Sequence, residues 1–411
     1  MAVGNSSVKM LWIGSYATKE VFEQLQTLGY KNAASYQSQK NIFEGIESLT
    51  NDQFDALGVP VLPAYPHGKC LRFHEIRFSH APHSEDRLAG FLNLPYVCRL
   101  FSKWSLVKEA KRWAKRQKGS AEEVHIYIYE MRSACLAAAA AVKKIIPNTK
   151  IFLIVPDLPC YMSLQVSPLK KILKQIDARG IQKLLPYVDR YILYTKHMAD
   201  YLHLEDGRWM VMEGSIDRSD LGGDVSAESA AETQAVMYSG VCDVRYGIDL
   251  MLEAFHRIEN ETAELWITGS GDAVGLIREY EKKDPRIHYY GYLPSREDLL
   301  AKQRQAAVMI SMRMPTEEAS AYCFPSKLFE YMLTGNPVLS FRIDGIPEEY
   351  FDYLIPMEDT RVETVQKSIE AVLQMDRAQR EQIGNAGKKF VLEKKNNIAQ
   401  AEKILRFVGG K

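Results

Sequence analysis

Phe324-Pro325-Ser326-Lys327-Leu328-Phe329-Glu330-Tyr331-Met332-Leu333-Thr334-Gly335-Asn336-Pro337-Val338-Leu339 carries its own punctuation. Pro325 and Ser326 are residue types that open a helix, because proline has no N–H to lose there and serine can accept from a free amide. Gly335 stops the helix, and Pro337 starts an apolar strand. A turn that enters a helix in this way exposes backbone N–H groups with a partial positive charge, and such a terminus holds phosphate. Glu330 lies about one turn in, where a carboxylate can accept both hydroxyls of a ribose. Alone, the segment reads equally well as a capped helix with a surface glutamate.

Three further loops precede it, each following a short apolar run. Gly240-Val241-Cys242-Asp243-Val244-Arg245-Tyr246-Gly247 is either an anion-binding loop with Arg245 as its cation or a plain strand-to-helix turn. Gly269-Ser270-Gly271-Asp272 is an incomplete dinucleotide fingerprint, because Val274 stands where a third glycine is wanted. Tyr290-Gly291-Tyr292-Leu293-Pro294 offers main-chain groups and a ring to a nucleobase, or only packs.

Apolar runs alternate with amphipathic stretches through the whole chain. They fall at 10–13, 124–128, 151–155 and 191–194, then at 235–238, 265–268, 287–290, 308–310 and 337–339. Continuous apolar strands between helices indicate parallel sheets covered on both faces. The pattern occurs twice, around a segment rich in Gly, Ser, Ala, Asp and Glu. The expected organisation is a first doubly wound domain over 1–215 and a linker over 216–234. A second domain follows over 235–390, and a helix over 391–411 crosses back to the first. Ligands of such sheets bind beyond the carboxyl ends of the strands. Gly14 and Ser15 follow the first strand and Asp157 follows another, so all three are expected at such an edge. His80 and His83 fall in a polar loop and read as solvated, or as facing an acceptor.

In this order, the four loops resemble the donor half of GT-B glycosyltransferases, namely the large retaining family 4 (group 1), and especially members that build bacterial surface polysaccharides. The resemblance implies two Rossmann-like domains facing across a cleft. It also implies transfer of a sugar with retention from a UDP- or GDP-sugar to a glycan or lipid-linked acceptor. By the resemblance, Glu330 binds ribose, and the amides of Ser326, Lys327 and Leu328 after Pro325 hold the phosphates. Tyr292 and Leu293 take the base, and Gly240, Gly269 and Gly271 border the nucleotide. Asp157, Arg245 and Lys327 are the candidate catalytic groups. Departing from the family pattern, Tyr322 stands where a glutamate contacts the sugar, with Glu317 or Glu318 as replacements. Val241 and Tyr246 stand where the family has an arginine and a lysine. A nucleotide-sugar epimerase, or a catalytically impaired glycan-binding or regulatory protein, is the alternative. The nucleotide-sugar is a substrate, so no cofactor and no metal is expected.

The chain has 411 residues with 52 Lys+Arg and 52 Asp+Glu, a composition that excludes disordered and collagen-like classes. Its zero net charge is the sum of two opposed halves. Residues 1–215 hold 28 Lys+Arg against 20 Asp+Glu, so the remainder carries the opposite excess. Lys103, Lys108, Lys111, Arg112, Lys115, Arg116 and Lys118 surround Trp104 and Trp113, and 169–185 is a second basic stretch. Basic amphipathic helices with tryptophan suit an anionic membrane surface, whereas a solvated helix face is the commoner use of such charge. Six scattered cysteines without a CxxC pair suggest reduced thiols. A cytoplasmic protein, peripheral on the inner face of a membrane and without a nucleic-acid partner, is the expectation.

Overall fold

The computed structural model describes residues 8–50, 54–119, 123–159, 168–217 and 233–409, with 168–173 as backbone only. The chain divides into two compact units, 1–215 with 397–411, and 216–396. Most of the expected linker, 218–232, lies outside the described residues.

The first unit contains strands β1 (Val8–Gly14), β2 (Phe54–Gly58), β3 (Arg72–Phe73), β4 (Ile76–Phe78), β5 (Asp86–Leu88), β6 (Phe91–Leu92), β7 (Glu123–Tyr129), β8 (Thr149–Val155), β9 (Arg190–Leu193) and β10 (Trp209–Val211). Eight of them form one sheet in the order β10-β9-β8-β7-β1-β2-β5-β4, parallel except where β4 turns back on β5. β3 and β6 make a separate antiparallel ribbon. Helices α1 (Lys19–Thr27), α2 (Ala33–Ser48), α3 (Cys98–Gln117), α4 (Ser133–Ile145), α5 (Pro168–Gln182) and α6 (His197–Tyr201) connect them. α4 is buried nearly all round by its run of alanines, as a helix wedged against sheet and neighbouring helix must be. No described helix is long and apolar enough to cross a membrane.

β2 has no apolar run in the sequence because Asp55 interrupts it. The carboxylate is tolerated at 1% exposure because Trp113 Nε1 and the amide of Glu85 both donate to it at 2.8 Å.

The second unit is a six-stranded, fully parallel sheet. Its strands are β11 (Ala235–Val241), β12 (Glu264–Ser270), β13 (Ile287–Gly291), β14 (Val308–Ser311), β15 (Val338–Phe341) and β16 (Ile355–Met357). The order is β13-β12-β11-β14-β15-β16, so the chain winds outward one way from β11 and then restarts beside it at β14. That reversal is the doubly wound arrangement, and it opens a crevice at the carboxyl ends of β11 and β14. α7 (Ile248–His256), α8 (Val274–Lys283), α9 (Arg296–Gln305), α10 (Lys327–Leu333), α11 (Val362–Gln374) and α12 (Arg377–Lys394) complete the unit.

The chain then breaks at Lys395-Asn396, and α13 (Asn397–Gly409) belongs to the first unit. There it lies on α2 so closely that a Cβ on Gly45 would stand 2.5 Å from the Asn397 carbonyl oxygen.

Candidate functional site at the strand ends

β11 and β12 end side by side, with Gly240 paired in register with Gly269. A Cβ on Gly269 would lie 1.8 Å from the Gly240 carbonyl oxygen, and its φ of +132° is one that side-chain-bearing residues avoid. Gly271, at φ +158°, would meet the Cys242 carbonyl oxygen at 2.1 Å. These glycines let two backbone turns pack together, a structural demand that stands whether or not a ligand borders them. Tyr289 adds a hydroxyl bond to the Gly269 carbonyl at 2.7 Å.

The loop after β11 folds back through a single 3₁₀ turn, Val244–Tyr246, capped by Asp243. The Asp243 carboxylate accepts from the Arg245 amide at 3.0 Å and from its Nε at 3.1 Å. Those bonds hold Asp243 below the usual carboxylate range and raise Arg245. Arg245 is therefore partnered by a neighbour, although its side chain stays half exposed.

Gly247 closes the turn at φ +74°, where a Cβ would meet Met314 Sδ at 2.7 Å. The segment after β14 thus lies directly on this loop. From it Arg313 extends across the Tyr246 ring, with its guanidinium carbon 4.8 Å from the centroid. Arg313 Nε donates to Ser320 Oγ at 3.1 Å, and that hydroxyl donates to the Met314 carbonyl at 2.7 Å. Arg313 was absent from the sequence-based candidates because no motif spacing marks it.

α10 begins at Lys327 with Ser326 at its N-cap position, and Ser326 makes no side-chain cap. The Leu328 amide bonds to the Pro325 carbonyl at 2.9 Å, so this first-turn group is closed on its own turn and is removed from the phosphate-binding set. Glu330 Oε1 accepts from Gln303 Nε2 at 2.6 Å and from Lys327 Nζ at 3.0 Å. The Lys327 ammonium thus rests on Glu330. Gln303, fully buried on α9, is a second residue the sequence did not single out. Next to Glu330, the Tyr331 hydroxyl donates to the Ser239 carbonyl at 2.6 Å and accepts from its amide at 2.9 Å. That pair ties α10 to the end of β11, beyond the reach of β14.

Tyr292 stands 87% exposed after β13, with Leu293 half-buried beside it. Tyr322 ends a 3₁₀ turn, Glu318–Tyr322, that starts just after Glu317. Among the described residues, no cluster of His, Cys, Asp and Glu is placed to hold a metal ion.

In the first unit, the reversal falls between β1 and β7. Gly14 is closely packed there, since a Cβ would meet Gln39 Oε1 at 2.4 Å and Trp12 Nε1 at 2.7 Å. Expected to face a ligand, Ser15 is instead 3% exposed and engaged at both ends. Its amide donates to Gln39 Oε1 at 2.6 Å, and its hydroxyl donates to the Val59 carbonyl and accepts from Arg132 Nη2, both at 3.1 Å.

Asp157 sits half-buried in the bend after β8. Burial pushes the nearby Tyr194 hydroxyl up to about 12, with the charges of Asp157 and Glu213 adding to the shift against bonds from Ser38 and Tyr129. His80, read as a solvated loop residue, is in fact buried. Nδ1 lies 2.6 Å from Asp86 Oδ2 and Nε2 lies 2.7 Å from Glu47 Oε1. His83 is exposed.

Residues 233–375 match the model of the family described as glycosyl transferases, group 1. No curated protein matches the chain by sequence. Among solved structures, Anabaena Alr3699/HepE in complex with UDP is similar over 98% of this chain and 100% of its own, at 12% identity and TM-score 0.63. The trehalose-6-phosphate synthase OtsA is similar over 98% and 99%, at 10% identity and TM-score 0.65. The apo form of the lipopolysaccharide outer core galactosyltransferase WaaB covers the same shares at 11% identity and TM-score 0.61. At such identities the likeness establishes the fold, which is GT-B.

Proposed function

We propose that this GT-B glycosyltransferase, whose residues 233–375 form a group 1 glycosyl transferase region, moves a sugar from a UDP- or GDP-sugar to a glycan or lipid-linked acceptor with retention, in the synthesis of a surface polysaccharide or glycoconjugate. One observation carries this reading: the family match covers all four loops that converge on the carboxyl edge of the second sheet. Structures of the similar HepE with UDP and with UDP-glucose support a nucleotide-sugar donor.

In the proposed reaction, the bond from the anomeric carbon to the diphosphate oxygen breaks, and a bond to the acceptor oxygen forms on the same face. The acceptor proton passes to the departing phosphate. The charge that grows on the nucleoside diphosphate is what the protein must stabilise, and fixed amides and cations do so without reorganising. Glu330 accepts the ribose hydroxyls, the amides of Ser326 and Lys327 meet phosphate, and Tyr292 with Leu293 contacts the base. Asp157 orients a hydroxyl on the acceptor side.

Titration calorimetry with UDP, GDP and their sugars tests the donor, and proton NMR of the product tests the anomeric outcome. Glu330→Ala is expected to weaken nucleotide binding by about tenfold to a hundredfold, the worth of charged hydrogen bonds. Wild-type binding to neither nucleotide, or a Glu330→Ala variant equal to wild type, overturns the reading. A donor sugar altered without transfer identifies an epimerase instead.

The acceptor-side unit is proposed to rest on an anionic membrane through α3. Leu100 and Trp104 are 67% and 66% exposed, Tyr96 and Phe101 are also exposed, and Lys108 covers the Trp104 ring at 5.4 Å. Along that helix, an apolar end passes into Lys108, Lys111 and Lys115 at helical spacing. This arrangement suits a bilayer interface. Of the second basic stretch, Leu169, Ile172 and Leu173 lie outside the residues with described side chains.

A further inference from the structure

The second sheet reverses between β11 and β14, and a nucleotide diphosphate bound there meets the turns that follow these two strands. Three side-chain cations are candidates for it. Arg245 is engaged by Asp243, and Lys327 by Glu330 at 3.0 and 3.2 Å. Arg313 differs from both. Among the described residues no carboxylate pairs with it; its contacts are the Ser320 hydroxyl and the Tyr246 ring. A guanidinium held over a ring and bonded through Nε still has two terminal nitrogens to donate, and such a fork matches paired phosphate oxygens.

Tyr246 also occupies the position where the resembled family carries a lysine. A cation is nonetheless present beside that position, contributed by the segment after β14, with the Arg313 guanidinium carbon 4.8 Å from the centroid of the Tyr246 ring.

Resting on the nucleotide-sugar reading above, we infer that Arg313 is the diphosphate-binding cation of this enzyme, with Tyr246 as its platform. Arg245 is then a structural partner of Asp243.

The experiment compares binding of UDP and GDP with binding of uridine and guanosine, in wild type, Arg313→Gln, Arg313→Met, Arg245→Gln and the double variant Tyr246→Lys/Arg313→Gln. Arg313→Gln should weaken the diphosphate by about 30-fold to a hundredfold while leaving the nucleoside and the melting temperature unchanged. Arg245→Gln should weaken the diphosphate by less than about threefold at equal melting temperature. Restoring a lysine at 246 should recover about tenfold. Arg313→Met keeps a stem of similar bulk without the charge and decides the matter if the glutamine variant unfolds.

Diphosphate binding unchanged without the Arg313 charge, or a larger loss from Arg245→Gln, overturns the assignment and leaves the nucleotide-sugar reading intact. Wild type that binds neither diphosphate overturns both.

Discussion

His80 touches two carboxylates, Asp86 and Glu47, and packs edge-on against Phe43 and Tyr16. Burial by itself lowers an imidazole's affinity for protons. Hydrogen bonds and charge from Asp86 and Glu47 outweigh that here and raise His80 to about 9. An unfolded histidine titrates near 6.5, so the folded state holds the proton more tightly. The resulting stabilisation is complete below about pH 6.5 and is lost as pH rises through 9. The melting temperature should therefore fall between pH 6 and pH 9.5, and His80→Gln should flatten that slope. Calorimetry across this range checks it; a parallel slope in the variant contradicts it. The removal of one member of a buried charged cluster should also cost about 3 kcal/mol near neutral pH. The local sequence around His80 shows a polar loop, and only the fold brings Glu47 from α2 to it.

Elements in this chain are joined at their ends by contacts that tolerate little change. The Gly240–Gly269 register brings two strand ends within backbone contact. Gly269→Ala must both adopt an unfavourable φ and move a carbonyl, and should destabilise by roughly 2–4 kcal/mol in urea denaturation. The Tyr331 hydroxyl holds α10 to β11 through two bonds to Ser239. Tyr331→Phe leaves that amide and carbonyl without their partner at a buried position, at a cost of about 1–3 kcal/mol. Since α10 carries Glu330 and Lys327, the same variant should weaken nucleotide binding more than it changes the melting temperature of the first unit. Strand, turn and helix identities were readable here because glycine, proline and apolar runs act locally. Which hydroxyl or carboxylate would close on which turn was not readable, since Leu328, Ser15 and Arg245 find their partners only when the turns are formed.

At the scale of the whole molecule, charge and apolar exposure coincide in the first unit. The basic excess of residues 1–215 is concentrated on α3, whose amino-terminal half leaves Leu100, Phe101 and Trp104 in solvent while Leu106, Ala110 and Trp113 are buried. Sequence patterning marked the charge and both tryptophans alike. The structure separates them, because Trp113 reaches inward to Asp55 and Trp104 does not pack on the sheet. Flotation with phosphatidylserine or phosphatidylglycerol vesicles should recover the protein at low salt and release it as salt screens the lysines. Leu100→Ser/Trp104→Ser should abolish flotation at unchanged stability. Binding that ignores both salt and this pair leaves α3 a solvated helix.

By itself, the sequence determined the alternation of strands and helices, the two doubly wound units and the four glycine- and proline-marked loops of the second one. Each of these is written in neighbouring residues, through apolar period, turn chemistry and helix stops. Only the tertiary structure decided which polar groups remain available. Arg245, Lys327 and Ser15 are engaged by partners, His80 is drawn inside, and Arg313 is set on Tyr246 with no carboxylate paired to it among the described residues. The physical reason is that a charged group's role depends on what else lies within a few ångströms, and at the reversal of a parallel sheet those neighbours come from strands distant in the chain.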